Sequence, residues 1–164
     1  MSKTEQNLKD AFAGESQANR KYLAYSKKAE QEGYKQAAKL FRAAAAAETI
    51  HAHNHLRELG VVKSTKENIQ DAINGESYEF QKMYPQMISD AKAEGKDGAL
   101  KSFNYANEVE KVHAALYQKA LDSLGRNAAT DYYVCSVCGY TAEGHAPDEC
   151  PVCKSKKQAF MKVE

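Results

Sequence analysis

Glu48 and His51 stand three positions apart, and Glu110 and His113 repeat that spacing further along the chain. On a helix, residues three apart lie one above the other, so each pair offers a carboxylate and an imidazole on one face. With five His and 15 Glu in 164 residues, chance leads one to expect fewer than one such pair. Two pairs pointed inward from two helices supply half of a carboxylate-bridged di-metal site in a helix bundle. Further carboxylates fall where such a site would need them, at Glu15, Glu76 and Glu79. Most of these Glu are in phase with the aromatic and aliphatic stripe of their own helical segment. Five carboxylates in one core would each be costly unless compensated, and a metal is the compensation available. A set rich in carboxylates with one or two His suits iron or manganese.

A second chemical pattern occupies the C-terminus. All four cysteines fall at this end of the chain as two CxxC pairs, Cys135/Cys138 and Cys150/Cys153. Two such knuckles close a tetrahedral four-cysteine site, and their spacing alone does not separate zinc from a single iron. A zinc site there would be structural, whereas an iron site carries one electron.

The elements that must position these residues are mostly helical. Ser2-Lys3-Thr4-Glu5 reads as a capping box opening a helix that runs to about residue 32, with Leu8, Phe12, Glu15, Tyr22 and Tyr25 on one side and Gly33 at its end. A second helix, about residues 34 to 59, carries Leu40, Phe41, Ala44, Glu48 and His51 and stops at Gly60. Ser64-Thr65-Lys66-Glu67 is another capping box, followed by Ile69, Ala72, Glu76, Phe80, Met83 and Met87 before Gly95. The fourth helix, about residues 97 to 124, presents Leu100, Phe103, Glu110, His113, Tyr117 and Leu121. Gly14-Glu15-Ser16 recurs as Gly75-Glu76-Ser77, and Glu32-Gly33 as Glu94-Gly95, so the second helix pair echoes the first about a pseudo-twofold axis. The interval from Glu76 to Gly95 is one position longer than that from Glu15 to Gly33, and Pro85 lies in the longer one. That predicts a π-bulge or kink between about Phe80 and Met87.

The expected fold class is an all-α four-helix bundle with a small four-cysteine metal domain at its C-terminus. The expected boundaries are 1–130 for the bundle, including a small polar linker at about 126–131, and 131–164 for the cysteine domain. The net charge of +1, from 23 basic and 22 acidic residues, argues against nucleic acid or an anionic membrane as partner. The longest wholly apolar run, Ala43–Ala47, is too short to span a bilayer. The first residues lack the apolar stretch of a signal peptide, and paired cysteines without export read as metal ligands, so a cytoplasmic location is expected.

Together, Glu15, Glu48/His51, Glu76/Glu79 and Glu110/His113 ahead of two CxxC pairs resemble rubrerythrin, a ferritin-like di-iron protein with a rubredoxin-like tail. All seven bundle ligands match position by position, as do Tyr22, seven positions after Glu15, and Tyr84-Pro85 after Glu79. The loop between Cys138 and Cys150 is one position shorter than the family's usual loop. The resemblance implies two non-haem irons bridged by Glu48 and Glu110, with Glu15 and Glu76 as terminal ligands. His113 would hold the second iron, while Glu79 and His51 compete for the first. It favours iron over zinc at Cys135, Cys138, Cys150 and Cys153, although zinc can substitute there. Tyr22 and Tyr84 would hydrogen-bond to site carboxylates, and Glu79, His51, Tyr22 and Tyr84 would serve the chemistry. His53 and His55 are expected at the surface or solvated. The implied activity is a peroxidase protecting against oxidative stress. It would reduce hydrogen peroxide to water with electrons relayed through the four-cysteine iron. An external donor such as a rubredoxin or its reductase would supply the electrons, and the chain would form a homodimer or larger homo-oligomer. A ferritin-like ferroxidase or iron-handling protein is the alternative; a zinc-ribbon interaction module is a third.

Overall fold

A computed structural model describes residues 2–164, so the N-terminal Met1 of the opening segment lies outside the described residues. By compactness the chain divides into a unit ending at Lys63 and a second unit, Ser64–Glu164.

In the first unit, α1 spans Lys3–Gln31 and α2 spans Lys35–Leu59. The expected N-cap is present: Ser2 Oγ accepts a hydrogen bond from the Glu5 N–H at 3.1 Å. Gly60 closes α2 in the left-handed region with φ +64°, where a Cβ would be strained. The seam between the two helices is built from small residues. Ala38, Ala45 and Ala52 are 0%, 1% and 7% exposed, and their regular heptad spacing keeps them on one stripe. Small side chains there allow close backbone approach, which polar side chains then exploit. Asn19 Nδ2 donates to the Ala45 carbonyl at 2.7 Å and to Thr49 Oγ1 at 2.9 Å. Arg42 donates to Ser26 Oγ at 3.0 Å and Glu30 at 2.6 Å. Leu40, expected on the apolar side, remains 68% exposed, because the α1–α2 contact uses the alanine stripe instead.

The second unit opens with α3, Thr65–Tyr78, behind a complete capping box. Glu67 N–H donates to Ser64 Oγ and Ser64 N–H to Glu67 Oε2. The helix then widens into a π turn, Glu79–Met83, before α4, Tyr84–Ala93. Tyr84 N–H reaches back to the Glu79 carbonyl, and Pro85, next in the chain, has no N–H to restore the ordinary pattern. The bulge thus begins one position before the expected window. After Gly95, α5 runs from Asp97 to Asp122 and packs against both α3 and α4.

The four-cysteine fold ends the chain. A three-stranded antiparallel sheet has β1, Tyr132–Cys135, between β2, Thr141–Glu143, and β3, Phe160–Lys162. The two knuckles are alike: Gly139 N–H donates to the Cys135 carbonyl at 2.9 Å, and Lys154 N–H to the Cys150 carbonyl at 3.0 Å. Gly139 and Lys154, each just after a knuckle's second cysteine, both have positive φ, +85° and +65°. This domain rests on α5, where a Cβ at Gly139 would lie 3.8 Å from Val109 Cγ1. Fold class is therefore as expected from the sequence: four helical segments, the third broken by the π turn, followed by a small four-cysteine domain.

Candidate metal centres

Among the described residues, three groups of side chains could hold a metal ion. Glu48 and His51 project from one face of α2, with His51 Nδ1 2.8 Å from Glu48 Oε2. The α1–α2 seam brings Glu15 to them, and ligand atoms of all three lie within 4.8 Å of one another. In the second unit Glu110 and His113 repeat the arrangement on α5, again with a 2.8 Å contact. The packing of α3 on α5 adds Glu76, likewise within 4.8 Å, and Glu76 Oε1 lies 3.8 Å from His113 Nδ1.

The electrostatics of the second group are those of crowded carboxylates. Burial, a hydrogen bond with Glu110, and the charges of Glu110 and Glu79 push the Glu76 carboxyl up to about 7. Glu79, the first residue of the π turn, is raised by burial and by Glu110, with His113 acting the other way. Tyr84, one turn on, has its hydroxyl raised by burial and then by the charges of Glu110, Glu79 and Glu76. Each of these groups resists ionisation because it is partly desolvated and lies beside other negative charge. A divalent or trivalent ion would remove that penalty. Tyr22 belongs to an aromatic group of the first unit, its ring 6.2 Å from Phe41 and 6.3 Å from Tyr25. His53 is exposed and His55 half-buried.

The third group is Cys135, Cys138, Cys150 and Cys153, all free thiols. Cys135 and Cys153 sulfurs are 3.6 Å apart, as are those of Cys138 and Cys150. That is far beyond the roughly 2.05 Å of a disulfide, but close to the edge, about 3.8 Å, of a tetrahedron with metal–sulfur bonds of about 2.3 Å. Cys135 and Cys150 are 1% and 0% exposed. Burial pushes the Cys138 and Cys150 thiols up. At Cys153 burial acts in the same direction, but the side chain and backbone of Ser155 outweigh it and bring the thiol down to about 6. A metal held by Cys135, Cys138, Cys150 and Cys153 would displace the remaining thiol protons.

The rubrerythrin family model matches residues 6–121, and the model described as rubrerythrin, rubredoxin-like domain, matches residues 133–161. The chain belongs to the rubrerythrin family. Among its relatives, Rubrerythrin-2 of Clostridium acetobutylicum is 37% identical, the alignment covering 94% of this chain and 93% of the relative. Nigerythrin of Nitratidesulfovibrio vulgaris is also 37% identical, over 96% of this chain and 85% of its own. A solved structure, the fully reduced, all-ferrous state of nigerythrin, aligns with a TM-score of 0.61 at 34% identity, covering 99% of this chain and 88% of that one.

As a rubrerythrin, the protein joins a ferritin-like domain of di-iron type to a rubredoxin-like domain, and its carboxylate–histidine and four-cysteine groups are of iron-binding character. The donor sets fit: oxygen and imidazole for one kind of site, four thiolates for the other. No helix of the described residues is long and apolar enough to cross a membrane. Of the residues read from sequence, Glu15, Glu48 and His51 meet in one group, and Glu76, Glu110 and His113 in another. Sequence reasoning passed over two polar neighbours of the ligands. Ser155 Oγ lies 3.2 Å from Cys153 Sγ, and Thr141 Oγ1 lies 3.0 Å from His113 Nε2. Ser155, two positions after a knuckle cysteine, was within reach of a local rule; nothing local links positions 113 and 141.

Proposed function

We propose that this rubrerythrin is a cytoplasmic non-haem di-iron peroxidase that reduces hydrogen peroxide to water and protects against oxidative stress. The observation that carries the reading is the presence, in one chain, of two Glu–Glu–His groups and a four-cysteine group. The first kind supplies ligands for a two-electron centre, and the second for a one-electron carrier. Residues 1–130 form the di-iron domain in this reading and residues 131–164 the electron-carrying domain. In this reading Glu15, Glu48, Glu76, Glu110 and His113 would hold two irons, with Glu48 and Glu110 as ligands common to both, Glu15 and Glu76 serving one each, His113 the second, and Glu79 or His51 the first. Such a pair, when bound, would supply the two electrons that, with two protons, convert one hydrogen peroxide to two water molecules. Tyr84, whose hydroxyl is raised by burial and then by the nearby carboxylates, would keep its proton and donate a hydrogen bond to them, and Tyr22 would do the same from α1. Cys135, Cys138, Cys150 and Cys153 hold a single iron that passes electrons one at a time. Zinc there would hold the knuckles together but carry no electrons. The electrons originate in an external donor such as a rubredoxin or its reductase, and the working form is a homodimer or larger homo-oligomer.

The test is steady-state turnover by anaerobically prepared, iron-counted protein. Reduced rubredoxin should be oxidised continuously while hydrogen peroxide is supplied. Cys150→Ser, which removes a fully buried cysteine ligand, should lose the visible bands of the four-cysteine iron and the steady turnover with them. Iron uptake and oxidation without peroxide-dependent donor oxidation would overturn this reading in favour of a ferroxidase. Undiminished turnover by Cys150→Ser would exclude the relay through the tail.

A further inference from the structure

The two nitrogens of His113 have different partners. Nδ1 lies 2.8 Å from Glu110 Oε2 and 3.8 Å from Glu76 Oε1, so it faces the carboxylates. Nε2 points the other way, to Thr141 Oγ1 at 3.0 Å, on β2 of the four-cysteine domain. Thr141 Oγ1 in turn lies 3.3 Å from the carbonyl of Gly139, the residue that follows Cys138 in its knuckle. His113 and Thr141 are both half-buried.

An imidazole that gives the lone pair of Nδ1 to a metal must carry its proton on Nε2, and that N–H needs an acceptor. Without metal the demand is reversed. Nδ1–H then donates to the Glu110 carboxylate, and Nε2 is left as an acceptor in need of a donor. A hydroxyl is one donor and an acceptor at once, so it satisfies both states without moving its oxygen. In the metal-free protein the Thr141 O–H turns towards Nε2. In the loaded protein Nε2–H donates to Oγ1, and the hydroxyl proton turns to the Gly139 carbonyl, a pure acceptor already in place. A valine there would strand the N–H. An aspartate would accept it but place another negative charge beside Glu76 and Glu110.

We propose that Thr141 is the positioning residue of His113. Its hydroxyl accepts the Nε2–H of the metal-bound ring and joins that ligand, through the Gly139 carbonyl, to the Cys138 knuckle. This assignment rests on the di-iron reading above and adds to it a residue from outside the bundle ligands. It gives the tail a structural part in building the bundle's metal site, beside any electron transfer. The β2 strand suits the task because Thr141 pairs through its backbone with Val134, leaving the side chain free to point at α5.

Zinc-loaded protein labelled with nitrogen-15 at histidine provides the test, since zinc makes every site diamagnetic. In the wild type the His113 Nε2–H should be visible and slow to exchange. Thr141→Val keeps the side-chain shape and is a good strand former, so the tail should still fold and hold its own metal. This variant should lose the protection of Nε2–H and bind zinc at the carboxylate–histidine site about tenfold more weakly. Thr141→Ser, which retains the hydroxyl, should recover most of both. Wild-type protection and affinity in Thr141→Val would overturn the assignment, as would a serine variant no better than the valine. Wild-type protein that takes up zinc only at its cysteines would overturn the di-iron reading as well, which separates the two failures.

Discussion

Glu76 on α3 and Glu110 on α5 bring carboxylate oxygens within 4.8 Å of each other, a separation at which two ionised groups in a partly buried site repel. Burial, Glu110 and the charge of Glu79 together push the Glu76 carboxyl up to about 7. A cation bound between them would favour the ionised forms that this crowding disfavours.

The first prediction concerns pH. The folded-state pKa of Glu76 is above the ordinary carboxylate value of 4.5, and Glu79 is raised as well. Between about 4.5 and 7 the folded protein binds more protons than the unfolded chain, so stability falls as pH rises through that window. Metal-free bundle should therefore gain stability when the pH is lowered from about 7 towards 5, with the four-cysteine metal kept in place. Metal at the carboxylates should reverse the trend, because it binds the ionised forms. Urea titrations at several pH values would measure both, and apo stability that declines steadily from pH 7 to 5 would contradict the crowding.

The second concerns the start of α3. Ser64 and Glu67 satisfy each other's backbone N–H groups, and loss of such a cap costs about 1 kcal/mol. Ser64→Ala should lower the unfolding midpoint by a few degrees without changing the metal content of any site. Ser64→Asp, which retains an N-cap acceptor, should lie close to wild type. Differential scanning calorimetry distinguishes these outcomes.

The third concerns the pair Glu79 and His51. Reducing two ferric ions removes two positive charges from a partly buried site. In the reading proposed above, exchanging the anionic Glu79 for the neutral His51 would remove a negative charge and keep the site nearer neutrality. Glu79→Ala should therefore still take up two ferrous ions but retain ferric iron poorly. Iron counts after anaerobic loading, and again after oxidation and desalting, would measure this. Equal retention in both states would count against a redox-linked exchange.

Sequence alone determined those features whose cause is local. A Glu and a His three apart on a helix must share a face, so each pair needed no tertiary information to be assembled, and each shows the same 2.8 Å contact. Knuckle geometry follows from CxxC spacing, helix ends from Ser2, Ser64 and Gly60, and the π turn from one surplus residue beside Pro85. The tertiary structure decided what depends on packing between distant segments. The alanine stripe of Ala38, Ala45 and Ala52, not Leu40, became the α1–α2 seam, because backbone approach sets which face is covered. Glu76 acquired its raised carboxyl only when α3 settled on α5 beside Glu110. Thr141 met His113, far back in the chain, only because the cysteine domain docks on α5. Hydrogen bonds over such separations depend on where the chain folds back, and no periodicity or spacing encodes that.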